Sequence, residues 1–247
     1  MPDISDRSDK EKAYARLMAK LLKAYGGRLL EKLGDPPDLA NLPADFWDEE
    51  AKTLVQALSP FGEKVYLDAA KELMKQTRID VNWDVINRNA SGWARTYTFE
   101  LVKGLNDTTR DTTAMELERL RAAIPEFFER QMTRGDLEQR LQENGLFGPV
   151  RAEMIAVTEV TRAAARGEEA LSDELEKLSG VKMIVTWGTD NDELVCEICE
   201  PLNGRESAGR NAKNEEYWIH PDSGDEVIIP AHPRCRCAEN YELPRPE

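Results

Sequence analysis

PVRAEMIAVTEVTRAAARGEEALSDELEKLSGVKMIVTW, residues 149–187, changes its rhythm at Gly180. Before that glycine, Ala156, Val157, Val160, Ala163 and Ala164 recur at three- and four-residue steps, the spacing of one helical face. The spacing predicts a long helix over 149–178 that stops at Ser179-Gly180. After it, Val181-Lys-Met-Ile-Val-Thr-Trp187 is rich in β-branched residues and reads as a strand. The chain therefore divides into a helical part before Gly180 and a different, smaller part after it.

Working toward the N-terminus, the helical period continues. Tyr14, Leu17, Met18, Leu21, Leu22, Tyr25, Leu29 and Leu33 mark a helix over 6–33, with a bend expected at Gly26-Gly27. Further helices are expected over 45–58 and 60–77, split by Ser59-Pro60, and over 82–104. Asn106-Asp107 reads as a turn before a helix at 110–132. Asp136 is the expected cap of a short helix at 137–143, which Asn144-Gly145 ends. Toward the C-terminus, 188–225 is irregular, Val227-Ile-Ile229 is a short strand, and 241–247 is a loose tail. The expected class is mainly α: an elongated multi-helix N-terminal body over 1–148, a connecting helix over 149–180, and a small α+β metal-binding module over 181–240.

All four cysteines fall between residues 196 and 237. Cys196-Glu-Ile-Cys199 places two thiols where a tight knuckle can present both to one ion, and Gly204 nearby eases such a turn. His232-Pro-Arg-Cys235-Arg-Cys237 supplies three more donors. A tetrahedral zinc site needs four ligands, so five candidates compete: Cys196, Cys199, His232, Cys235 and Cys237. Cys196 and Cys199 are the firm pair. An all-cysteine site would leave His232 to hydrogen-bond from outside, and two disulfides are the rival structural reading. A module this small and polar needs a staple, and structural zinc is the expected cofactor. His220 reads as a surface or packing residue.

On the long helix, Arg151, Ile155, Thr158, Glu159, Arg162 and Arg166 share one arc. Arg151, Thr158, Glu159 and Arg162 are candidate partner-contact residues; the plainer alternative is a solvated face laced with ion pairs. A glutamate among arginines is ionised and paired, so the arc holds no catalytic dyad.

Net charge is −14, shared as −7 over 1–180 and −7 over 181–247. A phosphate backbone would be repelled, which makes DNA a disfavoured partner despite Arg205, Arg210, Arg234 and Arg236. No run approaches the roughly 18 apolar residues of a membrane span. The polar start MPDISDRSDKEK lacks the apolar run of a secretory signal, so a cytoplasmic protein is expected.

Three blocks in order resemble the phage Mu protein F-like family of minor head (head morphogenesis) proteins. They are Arg151-Ala-Glu-Met-Ile-Ala-Val-Thr-Glu159 with Arg162 and Ala163; Trp187-Gly-Thr-Asp-Asn-Asp-Glu-Leu-Val-Cys-Glu-Ile-Cys199 with Leu202 and Gly204; and Pro230-Ala-His-Pro-Arg-Cys-Arg-Cys237. They are similar to the family's RAxxIAxTExxRA, WxTxxDxxVCxxCxxLxG and PPxHPxCRC, with Ala231 in place of a frequent second proline. Residues 1–105 carry no block that aligns. The resemblance implies a non-enzymatic virion protein associated with the portal vertex and other head proteins, acting in head assembly or DNA delivery. It would reside in the host cytoplasm during assembly and then in the virion head, with no membrane partner and no small-molecule substrate. The alternative is a metal- or thiol-dependent hydrolase or nuclease using His232 and the cysteine cluster, with Asp190, Asp192 or Glu193 as its base.

Overall fold

The computed structural model describes residues 4–77, 81–123, 133–189 and 195–244. It is mainly helical: α1 Ile4–Leu33, α2 Phe46–Thr77, α3 Trp83–Ala123, α4 Arg134–Glu143 and α5 Pro149–Ser179. Five short strands follow: β1 Ile184–Gly188, β2 Gly209–Arg210, β3 Glu216–Ile219, β4 Glu226–Val227 and β5 Ala238–Glu242. Among the described residues no helix is long and apolar enough to cross a membrane.

The period change at Gly180 is a real boundary. Gly180 adopts φ 71°, a left-handed conformation glycine takes without steric cost, and its N–H closes onto the Glu176 carbonyl at 2.8 Å. Other expected breaks are absent. α2 runs unbroken through Ser59-Pro60, because Leu54 and Leu58 before the proline and Val65 and Tyr66 after it are all buried. That burial outweighs the one backbone bond proline forfeits. α3 likewise passes through Asn106-Asp107. The Asn106 amide accepts from the Tyr25 hydroxyl at 2.7 Å and donates to the Trp47 carbonyl at 2.9 Å, so it does not compete with its own helix backbone. The expected end of this helix at 132 lies outside the described residues. α4 is capped by Thr133, with Asp136 at the third helical position bonding back to the Thr133 N–H, so Asp136 is the second half of a capping box rather than the cap.

The chain packs as two compact units that interleave along the sequence and do not follow boundaries at 148 and 180. One comprises Ala13–Ser59 and Arg95–Glu153. Its core forms around Tyr25, which meets Phe46, Trp47 and Phe147 with ring centroids 6.4, 6.5 and 5.9 Å away. Arg28 grips the buried Glu50 with two bonds of 2.5 and 2.6 Å.

The other unit comprises Met1–Lys12, Pro60–Ala94 and Met154–Glu247. One part of its core joins Tyr66, Ala70 and Leu73 of α2 to Ile86 and Ala90 of α3 and Leu171 and Leu175 of α5. β1 and β5 pair antiparallel with Val185 opposite Tyr241, and β2, β3 and β4 form a second antiparallel sheet. Tyr241 and Glu242 are thus strand residues, not a loose tail; Tyr241 is held by its partner Val185 and packs against the core. The remaining tail residues 245–247 lie outside the described residues.

Candidate metal centre

The chain supplies the cluster from two turns. In the first, the Cys199 and Glu200 N–H groups both donate to the Cys196 carbonyl at 3.0 Å, which tightens Cys196–Cys199 into a knuckle. Gly204, at φ 74°, then sends its N–H to the Trp187 carbonyl at 2.7 Å and returns the chain to β1. In the second, the Cys235 N–H donates to the His232 carbonyl at 3.1 Å around Pro233 and Arg234. Proline at the second position and a positive φ at the third are the signature of a type II turn, and Arg234 accepts φ 65° there where glycine is the usual choice.

These turns bring all five expected donors into two overlapping triads, Cys196–Cys199–His232 and Cys199–Cys235–Cys237. The ligand atoms within each lie within 4.8 Å of one another, and Cys199 belongs to both. His232 Nε2 is 3.0 Å from the Cys196 sulfur and 3.3 Å from that of Cys199, while Cys199 and Cys235 sulfurs are 3.9 Å apart. A tetrahedron with metal–sulfur bonds of about 2.3 Å and metal–nitrogen bonds of about 2.0 Å has edges of roughly 3.5–3.8 Å. The observed separations fall close to that scale, so the cluster fits a metal ion. His232 Nδ1 lies 2.8 Å from the Pro233 carbonyl, which can only accept. Nδ1 therefore carries the proton and Nε2 turns its lone pair on the sulfurs, the tautomer a ligating histidine needs.

The protonation pattern without an ion points the same way. Hydrogen bonds from Cys199 and Cys237 hold the Cys235 thiol down to about 2. The bond to Cys235 pushes Cys199 up, and burial adds to it. Cys237 is pushed up to about 12: its bond with Cys199 lowers it, but its bond with Cys235 and burial outweigh that. A cation among these sulfurs would favour their thiolate forms.

The centre sits on α5. Thr161 Oγ1 is 2.7 Å from the Cys235 carbonyl, and the left-handed Arg234 aims its N–H at Thr158 Oγ1 at 2.9 Å. Trp187 and Trp218 cross edge to face beneath it, centroids 5.0 Å apart, and pack with Leu202, Ile229 and the three buried cysteines. His220 lies outside both triads, its Nδ1 accepting from Asp222 and Ser223 N–H groups in its own turn. Asp190, Asp192 and Glu193 lie outside the described residues.

The helix arc does not form one surface. Arg151 belongs to the first unit and donates to the Leu146 carbonyl at 2.8 Å, while Thr158 is engaged by the metal-ligand turn. Glu159 and Arg162 face each other at 3.9 Å. Ile155 is buried, and so is Arg166, which belongs to a charge network that no sequence period announces. Arg166 meets Glu169 at 2.5 Å and Glu215 at 3.6 Å; Glu169 accepts the Glu216 N–H at 2.7 Å; Arg210 reaches Glu216 and Asp173, each at 2.9 Å. Its only trace in the sequence is the spacing of Arg166 and Glu169, three residues apart on one helix. Burial raises Glu168 and Glu239 each to about 8.

No family model, no curated protein and no solved structure matches this chain.

Proposed function

We propose that the chain is a minor head protein of the phage Mu protein F-like kind, non-enzymatic, with its C-terminal module stapled by one structural zinc ion. The observation that carries this reading is the meeting of the three resemblance blocks at one place. Thr158 of the helix block, and Thr161 at a variable position beside it, bond the backbone of the His232–Cys237 block, whose donors group with Cys196 and Cys199 of the middle block. Of the residues that make up the resemblance, Cys196, Cys199, His232, Cys235 and Cys237 build the cluster, and Thr158 bonds its second turn.

A structural rather than catalytic ion follows from crowding. Cys199, Cys235 and Cys237 are buried, and the two triads share Cys199, so protein donors drawn from both can fill the four positions of a tetrahedral ion. A portal-vertex role suits an acidic, helix-rich chain that docks to other proteins, and the net charge of −14 disfavours DNA as its main partner.

The test is co-purification with the portal protein of the same phage or prophage, with metal analysis on the same sample. One zinc per chain and a stable portal complex are expected. A chain that binds no metal, and whose fold is unchanged when Cys196 and Cys199 are both replaced by serine, overturns the zinc centre. Nuclease or peptidase activity restored by metal add-back would instead establish the hydrolytic alternative.

A further inference from the structure

The unit that holds the cysteine cluster also has an open cleft of about 340 Å³, large enough for a small organic ligand. Val65 and Ala69 of α2 and Val160 and Ala164 of α5 give it apolar walls. Four cations border it: Arg7 and Lys10 of α1, Lys71 and Lys75 of α2. Glu168 of α5 also lines it, only 7% exposed.

We propose that this cleft binds a small apolar molecule bearing one carboxylate, its hydrocarbon part between α2 and α5 and its head between Lys71 and Glu168. Two polar groups are left over once the others are matched. Lys10 is held by Asp68 at 3.2 Å and Lys75 by Glu72 at 2.9 Å, while Arg7 faces Glu11 at 3.4 Å and also donates to Thr161. Among the described residues no ion pair holds the exposed Lys71, and no hydrogen bond or close ion pair reaches the Glu168 carboxyl, on which the Arg7 charge acts only at longer range. A carboxyl nine-tenths buried without a partner is costly unless a ligand completes it. An ammonium ligand would suit an ionised Glu168 but would meet four bordering cations. Burial pushes the Glu168 carboxyl up to about 8, so at neutral pH it is a neutral hydrogen-bond donor. A neutral acid beside a spare lysine, above apolar walls, matches a carboxylate on a hydrocarbon body. Cys237 of the cysteine cluster also lines the cleft, so metal content is measured alongside ligand binding to tell failure of the cleft from failure of the metal centre.

Isothermal titration of the full metal-loaded chain with decanoate at neutral pH tests this. Saturable one-to-one binding is expected, with decanol at least about tenfold weaker because it lacks the charge, and Lys71→Glu weakened by about the same factor. Ala164→Trp fills the cleft and is expected to abolish binding with metal content and helical circular dichroism unchanged. Should that variant fail to fold, Ala69→Phe obstructs the same space from α2. No saturable binding of decanoate, equal binding of decanol, or unchanged affinity in Lys71→Glu overturns the proposal.

Discussion

Thr161 joins α5 to the cysteine turn: its hydroxyl lies 2.7 Å from the Cys235 carbonyl, and the Arg7 guanidinium donates to the same oxygen. Thr161→Val keeps the shape and removes that hydroxyl. The buried Cys235 carbonyl loses its partner, and such a loss costs about 1–3 kcal/mol. We expect urea unfolding to report a loss within that range. A loss below about 0.5 kcal/mol would mean water replaces the hydroxyl and the turn is held by other contacts. Glu168 gives a second expectation, with a definite sign. Burial raises its carboxyl to about 8, whereas in an unfolded chain a glutamate ionises near about 4.3. Between those values the folded protein holds a proton that the unfolded chain has released. The contribution is therefore complete below the unfolded value and is lost as pH rises through the folded one. Glu168→Gln, which cannot ionise, should flatten the decline in unfolding free energy between about pH 5 and pH 8. Parallel declines in the two proteins would show that Glu168 is not the group responsible.

At the scale of elements, α5 approaches α2 closely in the unit that holds the cysteine cluster. A Cβ built on Gly167 would run into the Tyr66 carbonyl oxygen, a backbone atom with no rotamer to retreat into. Gly167→Ala should therefore cost at least about 2–3 kcal/mol. Gly27→Ala on α1, where nothing lies within 4 Å, should instead add about 0.5–1 kcal/mol through the unfolded chain. Urea midpoints of the two variants moving in the same direction would contradict this packing. Elements also differ in how far sequence reveals them. α5 is legible because its signals are local: small apolar residues at helical spacing, then Gly180. The passage of α2 through Pro60 and of α3 through Asn106 depends on burial and on the Tyr25 hydroxyl, which are far away in sequence. β2 and β3 leave no sequence signal because they are short, and β5 leaves none because its register is set against β1. Cys196, Cys199, His232, Cys235 and Cys237 are recognisable as donors from spacing alone. That His232 groups with Cys196 and Cys199 depends on the Pro233 carbonyl fixing its tautomer, and that Arg166 is buried depends on Glu169 and Glu215. Neither relation has a sequence period.

For the molecule as a whole, the question is how much order depends on the metal. The helices satisfy their backbone groups internally and bury their own apolar faces, so ion removal leaves their bonding intact. The C-terminal strands are two to five residues long, and two- and three-stranded sheets of that size are marginal unless pinned. The pins are the cysteines, which share one core with Trp187 and Trp218. Those two indoles, buried and crossed at 87°, should contribute strongly to the near-ultraviolet circular dichroism, beside Trp47, Trp83 and Trp93 elsewhere in the chain. Chelation of the zinc-loaded chain at neutral pH is therefore expected to remove the Trp187–Trp218 part of the tryptophan bands while the helical signal at 222 nm falls by less than about a fifth, and zinc add-back should restore it. Acid should act like the chelator, because protons compete with the ion for the thiolates and for His232. Tryptophan bands unchanged in strength after metal analysis shows the ion gone would mean the apolar core holds these strands unaided, and zinc would lose its structural role.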